Sequence, residues 1–329
     1  MDVPVFAQGC IAPTFTAFDA EGALDPDGQR NLLDFMLQSG SINAFFLRSG
    51  MGQMYAFEYD DVKLLARTAC RHLAGKAPVL LGCNGVWDRD YERRPDPAVF
   101  TDQCVALGKH AGDEGADAVV FTMPDALAVE PGQSATDVVL RFFERLNREL
   151  SLPIFIYQPP GTEDAYQLTP DLAATLAEMD HVCGVKVSSG DVSYVFSLIR
   201  AVRGASFKFI TGNEMVYFAT LYAGSEAVIG QGCCLNPSVL EAIRSSFLAG
   251  DRERALDAQE ATNVLVHECG DATYFLKRYA TEHGFPVGTY ARGTAAPPYG
   301  VSQPAMTDET YAATKRLLEE SVARFPEPA

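Results

Sequence analysis

Eight short runs rich in β-branched, aromatic and small apolar residues recur through the first two-thirds of the chain, with helical patterns between them. The runs are Cys10–Phe15, Ala44–Leu47, Val79–Leu81, Ala118–Phe121, Ile154–Tyr157, Val182–Val187, Phe207–Thr211 and Ala227–Ile229. Amphipathic spacing marks Gln29–Gln38, Asp60–Leu73, Asp102–Glu114, Ser134–Leu150, Pro170–Met179 and Val192–Arg203 between them. Strand alternating with helix predicts a parallel sheet, because each return to the same edge needs a crossover. Eight such units over about 230 residues is the arithmetic of an α/β (β/α)8 TIM barrel. A doubly wound open sheet is the competing architecture, but no Gly-x-Gly-x-x-Gly follows the first run. Beyond the eighth strand, Ser238–Leu248, Arg252–Val266, Thr273–Glu282 and Asp308–Arg324 read as helices, and 284–305 is rich in Gly, Pro and Thr. The expected organisation is a barrel over residues 1–236 and a helical C-terminal extension over 237–329, packed on it.

At 329 residues, 47% of them hydrophobic, the chain can fill one large barrel plus an extension. Its formal net charge of -17 argues against sequence-independent nucleic-acid binding and against anionic membranes, which need a basic surface. An anionic small molecule would need a local cluster of arginines and lysines. The eight cysteines form no Cys-x-x-Cys pair and several lie in apolar runs, as buried reduced thiols of a cytosolic protein do. The Met-Asp-Val-Pro start lacks the basic and apolar regions of a signal peptide, and no apolar run reaches membrane-spanning length. A cytoplasmic protein is the expectation.

In a barrel of this kind, active residues come from the C-terminal ends of the strands and the loops that follow. Lys186 lies near the end of the sixth run, inside His-Val-Cys-Gly-Val-Lys-Val-Ser-Ser-Gly-Asp at 181–191. A buried ammonium is costly, so burial favours the neutral amine, which can attack a carbonyl and form a Schiff base. The competing reading is a lysine that caps its strand and reaches out to water. Lys208 lies at the start of its strand, hence at the stability end of the barrel, and placement favours Lys186. The fifth run ends at Tyr157, which could move protons beside an amine or serve as a packed aromatic. The second run leads into Arg48-Ser49-Gly50-Met51-Gly52-Gln53, a turn able to bring backbone amides to a ligand, or simply a tight turn. Strands seven and eight end at Gly212 and Gly230. The loop at 86–97 holds the only tryptophan, Trp87, together with Arg89, Arg93 and Arg94. On the catalytic face it could bind a carboxylate, with Trp87 stacking on the substrate; as a solvated loop its charges would pair with one another. No metal or cofactor is implied, since His72, His110, His267 and His283 read as helical and His181 precedes its strand.

Gly9–Thr14 with Pro13-Thr14, Gly115-Ala116-Asp117-Ala118, Ile156-Tyr157-Gln158-Pro159-Pro160, Gly184-Val185-Lys186-Val187-Ser188-Ser189, Gly212, Gly224 and Pro237 together carry a resemblance. Over roughly residues 9–295 the chain resembles the dihydrodipicolinate synthase / N-acetylneuraminate lyase family of class I aldolases. The resemblance implies an imine between Lys186 and a 2-keto acid, with Tyr157 relaying protons. It also implies a homo-oligomer, a tetramer built from dimers. Family members typically read Gly-Thr-Thr-Gly-Glu after strand two, the threonines holding the keto-acid carboxylate. Here Gly50 and Met51 take those places, leaving Arg48, Ser49 and the amides of Gly50 and Met51 as candidate substrate contacts. Dihydrodipicolinate synthase also uses an arginine after the strand-five tyrosine and a second tyrosine across a dimer contact, and neither Gln158–Asp164 nor Met123–Leu127 supplies them. The expected activity is thus a Schiff-base aldolase or hydro-lyase on another, bulkier carbonyl substrate, with Arg89, Arg93 or Arg94 holding a distal charge. The alternative is a family member that lost turnover and now binds a ligand.

Overall fold

The computed structural model describes residues 1–303 and 306–327; Pro304, Ala305 and the last two residues of the expected extension, Pro328 and Ala329, lie outside the described residues. Eight strands form a closed parallel barrel in chain order: β1 Gly9–Pro13, β2 Ile42–Leu47, β3 Val79–Gly82, β4 Ala118–Thr122, β5 Ile154–Gln158, β6 Val182–Val187, β7 Lys208–Thr211 and β8 Ala227–Val228. Closure comes from β1 pairing with β8, Gly9 opposite Ala227 and Cys10 opposite Val228. Period-two alternation divides each strand between two cores. Ile11, Phe46, Leu80, Val120, Phe155 and Ile210 fill the barrel, while Phe45, Leu81, Phe121 and Ile156 face the helices.

The helices of the outer ring begin where the sequence places caps. Asp96 accepts from Val99 N at the start of α3 (Pro97–Asp113), and Ser134 with Asp137 makes a reciprocal box at the start of α4 (Ala135–Glu149). Helices α1 (Pro26–Met36), α2 (Tyr59–Leu73), α5 (Pro170–Leu176) and α6 (Val192–Ala201) complete the units expected from the pattern. One more helix, α7 at Tyr217–Ala223, has no counterpart among the expected segments. Its seven residues are too few to display two turns of amphipathic spacing, and it ends at Gly224, whose φ of 109° is in the left-handed region.

After the short α8 (Gly232–Leu235), helices α9 (Pro237–Ala249), α10 (Arg252–Cys269), α11 (Ala272–Glu282) and α12 (Asp308–Arg324) build the C-terminal layer, α10 packing on both α9 and α12. Between α11 and α12 runs a small antiparallel pair, β9 (Ala291–Arg292) and β10 (Val301–Ser302). Arg292 is buried, pairs with Asp61, donates from Nε to Gly22 O at 2.7 Å and from Nη1 to Ala56 O at 3.0 Å, and lies over the rings of Phe18 and Tyr299. This guanidinium pins the C-terminal chain to the β1–α1 loop, to the segment after β2 and to the first turn of α2. A buried charge loses hydration, and the loss is offset only where partners surround it, as here.

Candidate active site

Lys186 and Tyr157 are direct neighbours in the β5–β6 ladder. The register shifts at the start of that pairing, from Ile154 opposite Val182 to Phe155 opposite Gly184. This irregularity sets the phase of β6: Val185 and Val187 face the helices, and Lys186 points into the barrel beside Tyr157. Gly184 allows it, because a Cβ there would lie 2.9 Å from the Phe155 ring and 2.5 Å from Lys208 O. Lys186 Nζ sits 4.1 Å from the Tyr157 ring centroid and 5.9 Å from that of Phe46, and among the described residues no carboxylate pairs with it. The ring of Tyr157 is held edge-on by Phe46 at 6.0 Å.

Both side chains line a cavity of about 1130 Å³ at the C-terminal end of the barrel. Of the residues singled out in the sequence, Gly50, Met51, Arg89, Arg93, Gly212 and Gly230 border the same cavity. The three glycines act through the volume they leave free. A Cβ on Gly50 would lie 3.0 Å from the Tyr157 hydroxyl; one on Gly212 would meet Val187 O at 2.4 Å; one on Gly230 would meet the Glu214 carboxylate at 1.9 Å. The N–H groups of Gly50 and Met51 are engaged by no other protein group among the described residues, whereas Gly52 N donates to Ser49 Oγ at 3.1 Å.

Four expected contacts fall elsewhere. Arg48, with φ of 50°, turns away from the cavity to the C-terminal end of β3, where Nη1 donates to the carbonyls of Asn84 and Gly82 and the guanidinium lies over Phe57. Burial pushes its pKa down to about 10. Ser49 is fully buried and ties the turn together through Gly52 N and Thr14 O. Trp87 makes T-shaped contacts with Tyr55 and Tyr91, its Nε1 donating to Asp90 O at 3.2 Å, and packs among these residues instead of lining the cavity. Arg94 is held by both oxygens of Glu163 and by Leu127 O. Arg93 does reach the cavity rim, but it is largely exposed and paired with Asp90 at 2.6 Å and Asp88 at 3.1 Å.

Residues outside the sequence expectations complete the wall. Glu214, buried, accepts from Gly232 N at 3.0 Å and faces the cavity with Asn213 and Ser188. Tyr55 stands on the opposite side, beside Arg89. Gly293–Pro298 form a strap along the mouth, anchored by Arg292, whose backbone exchanges hydrogen bonds with the Gln53 side chain at 2.7 and 3.2 Å. A Gly-, Pro- and Thr-rich stretch was visible in the sequence; its route over the cavity depends on a buried arginine many residues from its partner.

Comparison with known proteins agrees with this architecture. Over 250 residues the chain is 29% identical to YagE of Escherichia coli (strain K12), named as a candidate 2-dehydro-3-deoxy-D-gluconate aldolase, covering 75% of this chain and 76% of that one. Over 250 residues it is 26% identical to a 4-hydroxy-tetrahydrodipicolinate synthase of Methanoculleus marisnigri (strain ATCC 35101 / DSM 1498 / JR1), covering 75% and 79%. The crystal structure of YagE from E. coli K12 in complex with pyruvate superposes with a TM-score of 0.78 at 25% identity, over 95% of this chain and 98% of that one. The model of the dihydrodipicolinate synthetase family matches residues 6–308, and the chain therefore belongs to that family, as an enzyme of its class I aldolase and lyase type.

Proposed function

We propose that the chain is a Schiff-base lyase in which Lys186 condenses with the carbonyl of a 2-keto acid and Tyr157 moves the protons. The neutral amine adds to the carbonyl carbon, Tyr157 gives up its proton as the carbinolamine oxygen leaves as water, and the resulting iminium draws electrons from the adjacent bond. In aldol cleavage Tyr157 takes the proton from the β-hydroxyl while the carbon–carbon bond breaks, its electron pair moving into an enamine. Protonation of the enamine and hydrolysis then return the free lysine. In a dehydration the same tyrosine would protonate a departing hydroxyl. The observation that carries the reading is the Tyr157–Lys186 pair, held on adjacent strands and facing one cavity, the amine 4.1 Å from the ring centroid.

The free amides of Gly50 and Met51 take the keto-acid carboxylate in place of the threonine hydroxyls usual in the family. Gly50 leaves room for the Tyr157 hydroxyl, and Met51 gives the wall a flexible apolar surface. The missing threonines and the missing arginine after Tyr157 argue against dihydrodipicolinate synthesis. The cavity volume and the similarity to YagE favour a larger, sugar-acid-like keto acid. Borohydride reduction in the presence of a panel of 2-keto acids tests this: intact mass should rise by one reduced keto acid per chain. A protein that binds the same keto acids without any adduct would instead be a ligand-binding member of the family.

The finer organisation is also proposed. The division at 236/237 separates barrel from helical extension. The subunits form a tetramer built from two dimers, supported by family membership and by apolar residues exposed on the outer helices, Tyr222 and Leu248 among them. Sedimentation at micromolar concentration tests it, and a monomer contradicts it. Eight free, buried thiols support a cytoplasmic location.

A further inference from the structure

One corner of the cavity is furnished with polar atoms that the protein itself leaves unused. Tyr55 follows the turn after β2, Arg89 lies in the loop after β3, and both line the cavity. The Tyr55 hydroxyl and Arg89 Nη2 are each buried with no hydrogen-bond partner among the described residues. Buried tyrosine hydroxyls and guanidinium groups are nearly always partnered, and leaving one unmade costs about 1–3 kcal/mol, more for a charged group. Two such atoms on one wall mark a place where a ligand completes the hydrogen bonding.

The two side chains are also held stiffly. The Arg89 guanidinium lies over the Tyr55 ring, 5.2 Å from its centroid, and Trp87 meets the same ring edge-on at 6.2 Å. Arg89 Nε donates to the Tyr91 hydroxyl at 3.3 Å, and that hydroxyl donates to Asp125 Oδ2 at 2.9 Å. Nη2 stays 4.0 Å from the same carboxylate oxygen, beyond hydrogen-bond reach. Arg89 adopts φ of 65°, a conformation that costs a non-glycine residue about 1–3 kcal/mol and persists where the surroundings enforce it. Burial raises the pKa of Tyr55, which keeps the phenol protonated and able to donate.

We propose that Tyr55 and Arg89 form a subsite for a carboxylate that the substrate carries away from its reacting carbonyl. Two donors converge there, and a carboxylate offers two acceptor oxygens that a guanidinium N–H and a phenol O–H can share. In a chain of net charge -17, such a group needs a local cation, and Arg89 is one of three on this cavity wall, with Lys186 and the carboxylate-paired Arg93. The proposal rests on the Schiff-base reading, since it assigns the far end of the molecule that Lys186 would hold at its carbonyl.

Reductive trapping at varied keto-acid concentration tests it, comparing pyruvate with 2-oxoglutarate and 2-oxoadipate. The wild type should reach half-maximal labelling of Lys186 at a concentration of a dicarboxylic keto acid roughly tenfold lower than that of pyruvate. In Tyr55→Phe and Arg89→Gln that ratio should fall close to one, with Arg89→Lys restoring part of it. Labelling by pyruvate reports in every variant that the fold and the amine are intact. Equal labelling by mono- and dicarboxylic keto acids in the wild type, or an undiminished ratio in both variants, overturns the subsite while leaving the Schiff base standing. Absence of any Lys186 adduct overturns both.

Discussion

Two lysines are buried against aromatic rings in different halves of the molecule. Lys186 is the penultimate residue of β6 in the barrel, 5% exposed; Lys277 lies in α11 of the C-terminal layer, with no exposure at all. Lys277 Nζ lies 5.9 Å from the Phe18 ring centroid and donates to Tyr290 O at 2.7 Å. Burial pushes its pKa down to about 8. Lys186 has its amine against Tyr157, faces an open cavity and has no carboxylate partner among the described residues. The difference teaches that burial alone does not make a nucleophile. A lysine whose amine is spent on a backbone carbonyl holds structure, and the proposed mechanism gives the chemistry to the one left unpaired against the Tyr157 ring. The two are also linked in space: Tyr290 is two residues before Arg292, so Lys277 holds the base of the strap that borders the same cavity as Lys186.

The largest expected effect is on the barrel lysine. Lys186→Ala should reduce turnover to background while the protein keeps its folded far-UV circular dichroism; retained turnover would break the comparison outright. Tyr157→Phe should lower kcat by roughly 10²–10⁴-fold with little change in melting temperature. If activity and stability fell together, the tyrosine would be a packing residue. Arg292→Leu should destabilise the fold by about 3–5 kcal/mol in denaturant titration, because Asp61 loses its buried partner. A variant as stable as the wild type would mean that the strap is held by other contacts.

The smallest expected effect belongs to Lys277 and has a sign. Its folded pKa, about 8, is below the unfolded value, so the folded state disfavours the proton. The cost is fully present below pH 8, fades as pH rises toward the unfolded value and is gone above it. Relative to Lys277→Met, the wild type should therefore gain stability between about pH 8 and pH 10.5, on the order of 1–3 kcal/mol. A pH-independent difference would show that Lys277 keeps its proton without cost. The same variant should raise KM more than it lowers kcat, through the loosened strap.

Much of this frame was legible in the sequence. The eight strands and their order follow from periodicity and crossover length, and the ends of β5 and β6 place Tyr157 and Lys186 at the same level of the barrel. Arg48 falls outside the cavity because its left-handed backbone, with the side chain bonded to the carbonyls at the end of β3, leaves no mark in residue type. Trp87 was misread because a lone aromatic in a charged loop looks free until Tyr55 and Tyr91 close around it. Glu214 and Gly230 are separated in sequence, and the fit of one carboxylate into the space beside one glycine exists only in three dimensions. The strap and Tyr55 escaped for a related reason: their positions depend on how loops fold back, which hydrophobic periodicity does not encode.

The central claim, that the unpaired lysine of the barrel is the nucleophile, is tested most directly by mapping the reduced adduct. Borohydride is added to the protein with a 2-keto acid, and the digest is sequenced by mass spectrometry across the peptides containing Lys186, Lys208 and Lys277. Modification is expected on Lys186 alone, lost in Lys186→Ala and retained in Lys277→Met. An adduct on Lys208 or Lys277, or one that survives Lys186→Ala, would contradict it.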